Sequence, residues 1–79
     1  MAIKKFLEKH PDLRELEINR VLHLNHNGCY DTYIIQAKKS VFIFEYSCGI
    51  LECCRTERET FDSYFKYIPT SLYSEYIVF

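Results

Sequence analysis

Apolar and polar residues alternate along two neighbouring stretches, Glu17 to His26 and Cys29 to Lys38, with Asn27-Gly28 between them. Alternation at a period of two predicts strands that turn one face to a core. Asn-Gly between such runs predicts a two-residue hairpin turn, because both central residues of a type I′ turn need positive φ. In that register His26 faces Cys29, Leu24 faces Asp31, Leu22 faces Tyr33 and Ile18 faces Ala37. These residues, with Arg20 and Ile35, form the more apolar face and are expected to meet the core. Asn25 with Tyr30, His23 with Thr32, Val21 with Ile34 and Asn19 with Gln36 form a second, wetter face.

The stretch Val41 to Tyr46 is the most β-prone in the chain, with Phe42, Phe44 and Tyr46 alternating against Val41, Ile43 and Glu45. Lys38-Lys39-Ser40 make the connection before it. Cys48-Gly49 predicts a second turn, and Ile50 to Arg55 a fourth strand. Consecutive strands on short connections imply an antiparallel meander.

Two segments have helical periodicity instead. Ile3, Phe6 and Leu7 share a stripe opposite Lys4, Lys5, Glu8 and Lys9, and Pro11 ends that helix. Pro11 to Leu16 reads as a further helical turn that adds Leu13 and Leu16 to the stripe. Thr56 and Glu59 have the spacing of a capping box, which predicts a second helix from there to Pro69. Its apolar stripe is Phe61, Tyr64, Phe65 and Ile68, with Arg58, Asp62 and Lys66 on the other side. The apolar tail, Ser74 to Phe79, is expected to form a last strand or an extended arm. The expectation is therefore one α+β domain over residues 1–79: an N-terminal helix, a four-stranded antiparallel β-meander, one packed helix and a short C-terminal strand or arm.

Composition narrows the classes of function. Hydrophobic residues make up 48% of the 79, and seven Tyr with six Phe supply large side chains for a small core. The formal net charge of −1 disfavours both a strongly basic nucleic-acid binder and an acidic nucleic-acid mimic. No apolar run approaches the roughly 20 residues that span a membrane. The charged N-terminal segment lacks the apolar core of a signal peptide, so a cytoplasmic location, in the producing or a host cell, is expected. In that compartment Cys29, Cys48, Cys53 and Cys54 are expected as reduced thiols.

His23-x-x-His26-x-x-Cys29 has the look of a metal site, but in a strand His23 and His26 point to opposite faces. What survives is a cluster beside the turns: His26 and Cys29, joined by Cys48 and Cys53 or Cys54. It is the candidate for a zinc- or thiol-dependent protein, although its spacing is not that of a standard zinc site. No phosphate-binding glycine loop, metalloprotease motif or nucleophile elbow is present, so no cofactor and no enzymatic activity are expected. A weak single-stranded nucleic-acid binder, with Tyr30 beside Lys38 and Lys39, is a further alternative.

Protein binding is the leading expectation. Seven tyrosines exceed what two short helices on one sheet readily bury, and tyrosine suits surfaces that must both stick and stay soluble. Tyr67, Tyr73 and Tyr76 in the C-terminal segment, with Tyr30, are the expected anchors. Glu52, Arg55, Arg58 and Lys66 are the expected charged surround. The partner would be a larger protein or complex, blocked or bridged by steric occupation, as by an inhibitor or adaptor. A phage or mobile-element inhibitor of host defence, such as an anti-CRISPR protein, is one instance. A second copy of the chain covering the tail is the other candidate partner.

Overall fold

A computed structural model describes residues 2–79. The elements in chain order are α1 (Ala2–Lys9), a 3-10 turn (Pro11–Glu15), β1 (Ile18–His26), β2 (Tyr30–Ala37), β3 (Ser40–Ser47), β4 (Ile50–Glu57), α2 (Phe61–Tyr67), a second 3-10 turn (Thr70–Leu72) and β5 (Tyr73–Val78). All five strands form one antiparallel sheet in the order β4-β3-β2-β1-β5. The α+β class and the antiparallel meander expected from the sequence are present. The tail is a strand, paired to β1.

The first hairpin departs from its expected register by one residue. Asn27 and Gly28 do take positive φ, 54° and 74°. The closing pair, however, is His26 with Tyr30, so the loop has three residues and Cys29 falls within it. Cys29 instead aligns with Cys48 of the next hairpin, whose N–H donates to the Cys29 carbonyl at 2.8 Å. Leu24 thus faces Thr32, Leu22 faces Ile34 and His23 faces Tyr33. A bulge between Ile18 and Arg20 restores the Ile18–Ala37 pair at the far end. The Cys48-Gly49 turn has two residues, as expected, with φ of 49° and 82°.

Because a one-residue slip moves side chains to the other face, the division into an apolar and a wet face does not hold. Both faces are buried. On one, Val21, Tyr33, Ile35, Phe44 and Tyr46 pack against Ile3 and Phe6 of α1 and Leu13 of the first 3-10 turn. On the other, Leu22, Leu24, Ile34, Val41 and Ile43 surround Phe61 of α2. Tyr64, Phe65, Ile68, Leu72 and Tyr73 close over that second core. The sheet is therefore the middle layer of three, which is how so short a chain buries so much of its apolar content.

The second helix is shorter than the capping-box spacing implies. Thr56 belongs to β4, where it pairs with Phe42, and the N-cap is Thr60. Strand pairing has overridden the local signal. The expected stripe nevertheless faces the sheet. Arg58 precedes the helix, and Asp62 pairs with Arg20 of β1 at 2.8 Å rather than within its own helix. At the other end of the chain, the Ile3 N–H donates to Glu75 Oε1 at 2.8 Å. A β5 carboxylate thus caps α1, a pairing 72 residues apart that no local pattern announces.

His23, expected on the wet face, is buried. Its ring stacks on Tyr33, which stacks on Phe6, with centroids 4.5 and 4.1 Å apart. His23 Nε2 lies 2.7 Å from Asp31 Oδ1, which also accepts from Asn25 Nδ2 at 3.0 Å, while the buried His23 Nδ1 has no partner. Burial, and then the Asp31 carboxylate, push the Tyr33 phenol up to about 12. Asp31→Ala strands the remaining ring nitrogen and is expected to cost about 1–3 kcal/mol in urea unfolding. His23→Phe keeps the stack, removes both buried nitrogens and is expected to cost less than that or to stabilise. The reverse order of the two variants would contradict this account.

Candidate functional site

The β1–β2 and β3–β4 turns lie at the same end of the sheet because each strand reverses tightly into the next. A disulfide between Cys29 and Cys48 staples them, with Cα atoms 4.8 Å apart. That bond corrects two expectations. Cys29 and Cys48 are not reduced thiols, and neither is a metal ligand or nucleophile. The zinc- or thiol-dependent cluster of His26, Cys29, Cys48 and Cys53 is thereby dismantled. Among the described residues, no three His, Cys, Asp or Glu side chains gather as a metal site. Cys53 and Cys54 are the free cysteines. Burial, followed by Cys53 and Asp12, raises the Cys54 thiol above its ordinary range, which disfavours the reactive thiolate.

The same end of the sheet holds the exposed apolar residues that sequence patterning does not single out. Ile50 is 70% exposed, Tyr30 52% and Leu51 42%. They lie beside the two stapled turns, Tyr30 and Ile50 on one face and Leu51 on the other, because α1 and α2 pack chiefly over the inner strands. Six of the eight β4 residues are exposed, and Cys53 and Glu57 are half-buried. Beside the turns, the sheet face carries a hollow of about 260 Å³ lined by His26, Tyr30, Thr32, Glu45 and Glu52, among others. Arg55 borders it. Its guanidinium is hydrogen-bonded to Glu57 and lies 3.0 Å from Glu45, and Glu57, Cys53 and Glu45 together hold it firmly protonated.

Seven of the eight residues expected at a binding surface fall into two groups. Tyr30, Glu52 and Arg55 meet at the stapled turns and β4. Lys66 and Tyr67 are on α2, and Tyr73 and Tyr76 on β5. Tyr73 and Tyr76 flank the Phe65 ring, with centroids 5.8 and 5.3 Å away, so much of Tyr73 is spent on the second core. Tyr67 points outward and is 78% exposed. Arg58 is exposed in the link between β4 and α2. An aromatic platform for bases is not available on β3, whose Phe44 and Tyr46 lie beneath α1. Among the described residues no helix is long and apolar enough to cross a membrane.

No protein-family model matches the chain, and neither does any curated protein or solved structure with which it was compared.

Proposed function

We propose that this chain is a non-enzymatic protein-binding module that acts as an inhibitor or adaptor by occupying a site on a larger protein. The observation that carries this reading is the surface at the stapled turns. Tyr30 and Ile50 stand exposed at the stapled turns on the sheet face that carries Glu45 and its ion-pair partner Arg55, with Glu52 beside them, while Leu51 is exposed on the other face, across from Tyr46. An apolar centre with a charged rim is the anatomy of a protein interface, and tyrosine is a frequent energetic anchor in one. The charged rim would set orientation and encounter rate more than affinity.

The test compares capture from the native cell by the whole chain and by a Tyr30→Ala/Ile50→Lys variant. Both side chains are exposed, so the variant is expected to melt close to the wild type. A specific partner retained by the wild type should bind the variant at least about 30-fold more weakly, the loss of a hot spot worth about 2 kcal/mol. Equal retention of that partner by a folded variant, or no specific partner at all, would refute the reading.

A further inference from the structure

The two edges of the sheet are protected very differently. β4 has a bulge between Glu45 and Tyr46 of its neighbour's register, and it carries Glu52, Arg55 and Glu57. Bulges and charges are how edge strands are kept from pairing with other chains. β5 has its bulge near its start, opposite His23 and Leu24, and from Tyr76 onward it reads Tyr76-Ile77-Val78-Phe79 with no charge. Its one acidic side chain, Glu75, is engaged with the Ile3 N–H. Tyr76 is 43% exposed and Val78 64%.

The backbone phase of this edge follows from one hydrogen bond. Phe79 N–H donates to the Asn19 carbonyl at 2.8 Å. In an antiparallel ladder, bonded and non-bonded pairs alternate. The bonded pairs between β1 and β5 are therefore Asn19 with Phe79 and Val21 with Ile77, in the register of the sheet. Tyr76 and Val78 alternate with them, so their N–H and C=O groups point off the edge with no partner among the described residues.

We propose that this edge joins a second copy of the chain. β5 pairs antiparallel with its counterpart about a two-fold axis at Ile77, so that Tyr76 lies opposite Val78 of the partner subunit. The outward groups of Tyr76 and Val78 then make four backbone hydrogen bonds, and the five-stranded sheets become one of ten strands. Tyrosine opposite valine is a favourable cross-strand pair, and symmetry makes it twice. No like-charged side chains are set opposite one another: Glu75, the nearest, lies across from Phe79 of the partner subunit and is held by the Ile3 N–H, and Arg20 and Asp62 neutralise each other at 2.8 Å. A copy is the occupant that the strip fits. It is self-complementary about Ile77, and its pairing closes on itself, whereas β5 against the charged, bulged β4 would build an open fibre. This dimer is independent of the surface at the stapled turns and leaves it free, one at each end of the long sheet.

Sedimentation of the full chain over a concentration series tests the assembly. A Cys53→Ser/Cys54→Ser background prevents intermolecular disulfides from imitating it. The expected species is a reversible dimer of twice the 9.5 kDa chain mass. Val78→Pro deletes an outward N–H and crowds the partner strand, but removes no bond within the fold. It should sediment as monomer at every concentration while its circular dichroism and melting stay those of the parent. If Val78→Pro melts early, Val78→Lys, which keeps the backbone, gives the same readout. Cys54→Pro in the Cys53→Ser chain, the matching change on the β4 edge, should leave the dimer intact. A parent that remains monomeric at the highest concentrations would overturn the proposal. So would a dimer that survives in both Val78 variants, or one lost only in Cys54→Pro.

Discussion

Phe61→Ala is expected to lower the unfolding free energy by about 3–5 kcal/mol, the usual cost of truncating a fully buried aromatic residue. The position is more exposed to that loss than most. Phe61 is 1% exposed and fills the space among Leu22, Leu24, Ile34, Val41 and Ile43. It also lies 4.4 Å beneath the Arg20 guanidinium and packs against Phe65 and Tyr76. The helix that presents it has seven residues, and Thr60 makes no side-chain cap. A helix that short does not stand alone in water, so α2 exists because Phe61 anchors it. Its loss exposes one whole face of the sheet. Against a total of about 4–12 kcal/mol for a domain of this length, the variant is expected to be largely unfolded at 37 °C or close to it. Urea unfolding checks this, with Tyr67→Ala as the comparison. Tyr67 belongs to the same helix but is 78% exposed, and its truncation should stay within about 0.5 kcal/mol. A Phe61 cost below about 1 kcal/mol would mean that α2 is held by something other than this contact.

The helical stripes and the strands are legible in the sequence because both depend on local periodicity. Ile3 with Phe6, and Phe61 with Tyr64 and Phe65, meet the sheet as their spacing requires. What is not legible depends on register across the sheet. Asn27 and Gly28 do turn the chain, but a third loop residue, Cys29, shifts the pairs from His26 back to Arg20 and buries His23 in place of wetting it. The pairing of Cys29 with Cys48 follows from the alignment of two hairpins, and neither turn alone contains that information. Thr56 and Glu59 have helix-start chemistry, yet Phe42 claims Thr56 as a strand partner. At the candidate site, charge and aromatic content point to Tyr30, Glu52 and Arg55. Ile50 and Leu51 escape notice because a strand residue looks like core until the reach of the helices is known.

Removing the staple at that site is the second large effect. Cys29→Ser/Cys48→Ser is expected to cost about 3 kcal/mol, since the bond closes a loop of sequence separation 19 in the unfolded chain. For a domain of this size, that corresponds to a fall in Tm of roughly 12–24 °C. A thermal melt with and without reductant checks it directly. Reductant should lower the Tm of the wild type to near that of the double variant, and should leave the variant itself unmoved. Cys53→Ser/Cys54→Ser should retain the wild-type response, because neither thiol contributes to the bond. A wild type indifferent to reductant would show that the two turns are held by strand pairing alone. The staple also separates the two binding surfaces. Tyr30 and Ile50 flank the bonded cysteines, one residue and two residues along the chain, whereas Tyr76 and Val78 sit on β5, which pairs along β1 away from the bond. Reduction at a temperature where the fold persists should therefore weaken partner capture and leave the dimer constant unchanged. If both fall together, the turns and the β5 edge unfold as one unit, and the stapled corner has no rigidity of its own to offer a partner.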